Sequence, residues 1–195
     1  MYNFTRILTI ILLILTTSIP AAGQASTPHP EFTCGANPIV TDLLSRTSLE
    51  EWAAWIEKLS GEVPVTVAGK TTRLTIRHSQ TFTRTDSAFQ FVLEQLQNWS
   101  ADSGQIEIQP FTIVALPNDY ETRNLIVDFP GQTRPGEVVI LAAHLDSLST
   151  TVTDPSPGAD DNATGVATLL EAARLLRHYR FERTVRLIFF SGEEQ

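Results

Sequence analysis

Cysteine is almost absent: Cys34 stands alone in 195 residues, so no disulfide can form within the chain. Stability in an oxidising compartment must then come from packing or from bound metal. Basic residues are also scarce, 14 against 22 acidic ones for a formal net charge of -8, and they are scattered rather than gathered on one stripe. That distribution excludes nucleic acid as a partner, because phosphate recognition needs a concentrated positive surface. Long apolar runs are missing too. The run from Ile7 to Leu15 is too short to cross a bilayer, which takes about 20 apolar residues. Beyond it there is no internal repeat and no low-complexity block.

What is present is ordinary globular composition, 42% hydrophobic and 18% charged, enough for one domain with a real core. Residues 1–25 stand apart. Arg6, the apolar run and the small residues from Ala21 to Ala25 match the n-region, h-region and cleavage site of a secretory signal. Secretion to an extracellular or periplasmic location is expected, with cleavage near Gly23 or Ala25 and no stable membrane anchor afterwards. Residues 26–37 read as a flexible, Pro-rich lead-in. Cys34 lies there, preceded by Glu31, Phe32 and Thr33 rather than by a lipobox, and any disulfide partner would be a cysteine outside this sequence. The domain proper is placed at 38–195.

Its rhythm changes along the chain. Ser48 and Glu51 have the spacing of a capping box, and Trp52, Trp55, Ile56 and Leu59 recur on one helical face until Gly61 stops the pattern. "VPVTVAGKTTRLTIRH" alternates around a Gly-Lys turn and predicts a short hairpin. Phe89, Val92, Leu93 and Leu96 predict a second helix, capped by Asp86 or Ser87 and ending near Trp99, and Ile106, Ile108 and Phe111 predict a strand. From Asn124 onward the order is strand, strand, helix, strand: "NLIVDF", "EVVILAAHLD", a helix with Val166, Leu169, Leu170, Ala173 and Leu176 on one side, then "TVRLIFFSG". Continuous apolar strands separated by a helix predict an α/β fold whose mixed, mostly parallel central sheet is flanked by helices and buried on both faces.

Polar clusters follow those strands. His144 and Asp146 come after "VVILAA", Asp160 and Asp161 lie in "PGADDNATG" before the helix, and Glu193 and Glu194 follow "VRLIFFSG". Taken singly, each has a bland reading: a hydrogen-bonded His-Asp pair, a capped helix start, a solvated turn. Taken together they fall where open α/β sheets collect ligands. Several carboxylates gathered beside an imidazole at one rim raise each other's pKa values unless a cation intervenes. Nitrogen and carboxylate donors suit zinc, and an aspartate with two oxygens can bridge two ions about 3.5–4 Å apart. One of the paired aspartates would be that bridge and the other would help hold the loop.

"AHLDS", "PGADDNATG" and "SGEE", in that order, resemble the zinc aminopeptidases of clan MH, a group that also holds glutaminyl cyclases. The resemblance is dense over residues 124–195 and loose upstream. It implies a secreted exopeptidase acting on peptide or protein N-termini with two zinc ions. It puts His144, Asp161 and Glu194 among the metal ligands, Asp146 behind His144, and Glu193 as general base. Asn162 stands where some members carry a third aspartate. The family uses one further aspartate and one further histidine after the Glu-Glu pair, and none follows here, so the sheet and the metal shell are expected to be incomplete at the C-terminus. Zinc binding and turnover by the 195 residues alone are accordingly expected to be weak. His29, His78 and His178 are read as surface or structural residues. The resemblance leaves two alternatives, a single-zinc glutaminyl cyclase and a metal-free binding module of the same fold.

Overall fold

Ser48 starts a helix as its pattern predicts. In the computed structural model, which describes residues 37–83, 87–100, 104–148, 151 and 154–195, the Ser48 side chain accepts the Glu51 N–H at 3.1 Å. A cap of this kind contributes about 1 kcal/mol. The other half of the capping box is filled from elsewhere: the Ser48 N–H donates to Glu171 Oε1 at 3.2 Å. Residues 1–25, expected to be a signal, together with Cys34, His29 and Asp86, lie outside the described residues.

Helix α1 spans Pro38–Arg46 and α2 Leu49–Leu59. Strands β1, Val65–Val67, and β2, Lys70–Thr72, form the predicted hairpin around Ala68 and Gly69. The hairpin is shorter than the alternation suggested. Residues 73–78 leave the ladder and run toward the main sheet, because Arg77 is drawn into a buried network described below. A 3-10 turn over Ser79–Thr83 precedes α3, Ser87–Ser100, which matches the second predicted helix.

The remaining strands are β3, Gln105–Ile113, β4, Tyr120–Phe129, β5, Arg134–His144, and β6, Arg183–Phe190, with α4, Thr164–Leu176, before the last. They form one four-stranded sheet in the order β3-β4-β6-β5. The fold is α/β with a mixed sheet and helices packed on it. Only β5 and β6 run parallel, while β3-β4 and β4-β6 are antiparallel, so the mostly parallel expectation is corrected. The cause is local: the short connection from β3 to β4 permits only a return stroke, and the α4 crossover alone is long enough for a parallel step.

Core packing uses one face of this sheet. Leu125, Val127 and Phe129 of β4 and Val185, Leu187 and Phe189 of β6 pack with Trp55 and Leu59 of α2, Phe89, Val92 and Leu96 of α3, and Val166, Leu170 and Ala173 of α4. Trp55 meets Trp99 edge-on at 5.6 Å between ring centroids and Phe91 at 6.1 Å, ties worth about 0.5–1.5 kcal/mol each beyond area burial. On the opposite face Val138, Ile140 and Phe190 stay substantially exposed, which corrects the expectation of burial on both faces among the described residues. An apolar run shows that both faces of a strand tolerate burial. It does not say what covers each of them.

Residues 38–195 form one compact unit. No helix among the described residues is long and apolar enough to cross a membrane.

Candidate metal centre

β5 and β6 run parallel and end side by side, His144 paired with Phe190 in register. Their carboxyl ends therefore deliver two loops to one place. Leu145 N–H donates to Phe190 O at 2.7 Å, holding the loop after His144 against the turn that carries Glu193 and Glu194. That turn is braced from β4, where Asn124 Oδ1 accepts the Ser191 N–H at 3.0 Å.

The third loop enters from the start of α4. Gly158 sits at φ +46°, and a Cβ built there would lie 2.4 Å from the Asp161 carbonyl oxygen and 2.6 Å from the Arg77 guanidinium, so glycine is demanded twice over. Gly158 O accepts the Ala163 N–H at 3.0 Å and closes a wide turn over Ala159–Ala163. Asp161, at φ -115° and ψ 95°, departs from helical geometry within it. No hydrogen bond or ion pair of the Asp160 carboxylate is seen among the described residues. The Asp160 carbonyl accepts from Thr164 Oγ1 at 2.8 Å, and Asn162 Oδ1 accepts the Gly165 N–H at 2.9 Å. Asn162 thus serves as a side-chain cap.

His144 is the hub. Its side chain is 12% exposed. Nε2 lies 3.0 Å from Asp161 Oδ1 and 3.9 Å from Glu193 Oε2, and Nδ1 lies 3.1 Å from the Asp146 carbonyl oxygen. A proton on Nδ1 donated to that carbonyl leaves the Nε2 lone pair facing the two carboxylates, the tautomer a metal ligand needs. Asp146 itself is fully buried. Its Oδ2 accepts the Glu194 N–H at 3.1 Å, while Oδ1 is buried without a hydrogen-bond partner, 3.6 Å from His144 Nδ1. Burial pushes the Asp146 carboxyl above its ordinary range, against the lowering effect of the Glu194 N–H and the His144 imidazole.

All five predicted residues converge. Ligand atoms of His144, Glu193 and Glu194 fall within 4.8 Å of one another, and Asp161 joins through His144. Atoms held about 2.0–2.2 Å from a tetrahedral zinc lie about 3.3–3.6 Å apart, and the 3.0 and 3.9 Å separations at His144 Nε2 bracket that value. Electrostatics agree. Burial raises the Glu194 carboxyl above its usual range, and the nearby Asp161, Glu193 and Asp146 raise it further, against the opposing His144. A divalent cation relieves that crowding, so the donor set fits zinc.

His78, read as surface or structural, is buried; burial holds its imidazole below its usual pKa while Asp146 pulls it up. His178 is exposed on the surface. One contributor went unread in the sequence. Arg77 is fully buried and donates to carbonyls of two of the site's loops, and its only trace in the primary structure is a charge inside the alternating "RLTIRH".

Comparison with known proteins puts this geometry in context. A sequence profile of peptidase family M28 matches residues 124–195, the stretch that holds all five residues. A probable zinc metalloprotease of the fungus Pyrenophora tritici-repentis is 26% identical over 168 residues, covering 79% of this chain and 35% of that protein. A probable leucine aminopeptidase of Arthroderma otae is 30% identical over 133 residues, covering 63% of this chain and 34% of that protein. The chain thus spans about a third of the length of these two curated relatives. The crystal structure of the glutaminyl cyclase from Macrostomum lignano superposes with a TM-score of 0.57 at 18% identity, covering 82% of this chain and 43% of that one. At that identity the match speaks for the fold alone.

Proposed function

We propose that this protein is a secreted zinc exopeptidase, an aminopeptidase that removes residues from peptide or protein N-termini with two zinc ions. The observation that carries the reading is the meeting of one imidazole and three carboxylates at the joined ends of β5, β6 and the turn before α4. Similarity to family M28 and to proteins named as zinc metalloprotease and leucine aminopeptidase supports it. Secretion is supported by the amino-terminal pattern of Arg6, the apolar run and the small residues through Ala25.

His144, Asp161 and Glu194 would hold the metal. When bound, zinc supplies Lewis acidity toward a carbonyl oxygen and acidifies water. The chain's own residues do the rest. The Asp146 carbonyl accepts the Nδ1 proton of His144 and fixes the ring's tautomer and orientation. The buried Asp146 carboxylate ties the same loop to the backbone of Glu194, holding the two strand ends together. Glu193, with 61% of its side chain exposed, is free to take a proton from the attacking water and return it to the departing amine. Acidic side chains left at the rim outside the metal ligands, Asp160 and Glu193, would favour a substrate with a free α-ammonium group, the basis for N-terminal rather than internal cleavage.

Isothermal titration of the chain with zinc, followed by assay of leucine p-nitroanilide and of a peptide beginning with glutamine, tests the assignment. We expect weak zinc binding that His144→Ala removes, slow hydrolysis of the anilide, and no ring closure of the glutamine peptide. Glu193→Gln should retain the metal and lose about 100-fold or more in turnover. Cyclisation without hydrolysis would transfer the assignment to the glutaminyl cyclase class. A wild-type chain that takes no zinc even at millimolar metal would favour the metal-free binding module.

A further inference from the structure

Arginine is rarely buried completely, and Arg77 is buried to 0% exposure at a place where no substrate or metal role uses it. Its guanidinium reads three separate segments. Nε donates to Leu145 O at 2.9 Å, Nη1 to Leu59 O at 2.7 Å and Pro157 O at 2.5 Å, and Nη2 to Gly158 O at 2.9 Å. Its backbone joins the same knot, since Arg77 O accepts the Ser147 N–H at 3.0 Å. Two residues earlier, Thr75 O accepts the Ser156 N–H at 2.7 Å. Ser147 Oγ completes the link by donating to Ser156 O at 2.8 Å.

Two of these acceptors lie close to candidate ligands. Leu145 follows His144 directly. Gly158 O receives Arg77 and also the Ala163 N–H, the bond that closes the turn around Asp161. The loops that carry His144 and Asp161 are far apart in sequence from α2, yet Leu59 O at the end of α2 shares the same Nη1 nitrogen as Pro157 O. A guanidinium suits this because its donors diverge in a fixed plane, whereas an ammonium is a single point. A metal site is sensitive to such a brace, since productive ligand geometry tolerates only about 0.5 Å of error.

We propose that Arg77 is a positioning residue for the metal centre: it clamps the 145–147 and 156–158 loops to the end of α2 and so sets the separation of His144 from Asp161. The zinc arm of the test rests on the metal-site reading above, and the exchange arm does not.

Arg77→Lys keeps the charge and loses the fork. Hydrogen exchange on the metal-free chain should show faster exchange at the Leu145, Ser147 and Ala163 amides, with amides of α3 and β4 unchanged. Zinc titration should show affinity weaker by about tenfold or more, the range seen when groups that orient metal ligands are removed. Val92→Ala, a core change in α3 away from these loops, is the control: it should lower the melting temperature yet leave zinc affinity within about twofold. Wild-type zinc affinity and loop protection in Arg77→Lys would overturn the proposal. So would an equal loss of affinity in Val92→Ala, because Arg77 would then be no more than general fold stabilisation. If Arg77→Lys does not fold, the wild type decides. Arg77 Nε–H and the Leu145 and Ala163 amides exchanging in one opening step supports the clamp, and separate openings refute it. A wild type that takes no zinc sinks the proposed function, and the exchange arm still judges the clamp.

Discussion

Replacing Gly158 by alanine offers a sharp quantitative test, because a second glycine in the chain isolates the terms. Gly158 has φ +46° and Gly69 φ +75°, so alanine at either position pays the left-handed penalty of about 1–2 kcal/mol. Both substitutions also restrict the unfolded chain by a similar amount, and that gain cancels in the comparison. The two sites differ in crowding. At Gly69 nothing lies within 4 Å of a new Cβ, whereas at Gly158 it would meet Asp161 O at 2.4 Å and the Arg77 guanidinium at 2.6 Å. Neither neighbour can yield cheaply, one being backbone and the other held by four hydrogen bonds to backbone carbonyls. Forcing in such a group costs about 1–3 kcal/mol. Urea unfolding should therefore show Gly158→Ala costing about 1–3 kcal/mol more than Gly69→Ala. Zinc affinity should fall only in the latter, whose relief requires moving Asp161. Equal losses for the two variants, or a Gly158→Ala chain that binds zinc as wild type does, would refute the account of how the aspartate loop is built.

Other consequences can be checked separately. Zinc at about 100 times its dissociation constant should stabilise the chain by about 2.7 kcal/mol, a rise of about 5–11 °C in melting temperature at this size, and His144→Ala should abolish the rise in a thermal melt. In the metal-free chain Glu194 has a raised pKa, so the folded state holds its proton more tightly than the unfolded state and stability falls as pH rises above the ordinary value of 4.5. Glu194→Gln should match wild type below that pH and exceed it at neutral pH in chelator, and an unchanged difference across the range would contradict the crowding argument. Glu171 behaves oppositely. Its burial would raise its pKa, but Arg174 and the Ser48 N–H outweigh that and lower it, so its contribution is present above pH 4.5 and lost as pH falls through its folded value. Glu171→Gln should narrow the gap in unfolding free energy between neutral and acidic pH, and an unaltered pH profile would count against the buried pair.

Local rules carried much of this protein. The apolar stripe of Trp52, Trp55, Ile56 and Leu59 needed only helical periodicity and a Ser cap, and α2 spans the stretch they mark. The candidate site was legible because strand ends in an α/β sheet are functional by geometry, so short polar clusters after apolar runs could be paired by position alone. His144, Asp146, Asp161, Glu193 and Glu194 do converge. What remained illegible involves partners distant in sequence. The capping-box acid for the Ser48 N–H is Glu171 and not Glu51, a substitution that exists only once α4 packs on α2.

Sequence by itself determined the elements, their order and the residue types at the rim, since these follow from periodicity, turn chemistry and charge within a few neighbouring residues. Tertiary structure alone decided that only β5 and β6 are parallel, that the helices cover one face of the sheet, and that Arg77 is spent on backbone carbonyls of three segments. The physical reason is that a buried polar group must find its hydrogen bonds wherever packing brings acceptors within reach, and that reach is set by the folded chain rather than by spacing along it.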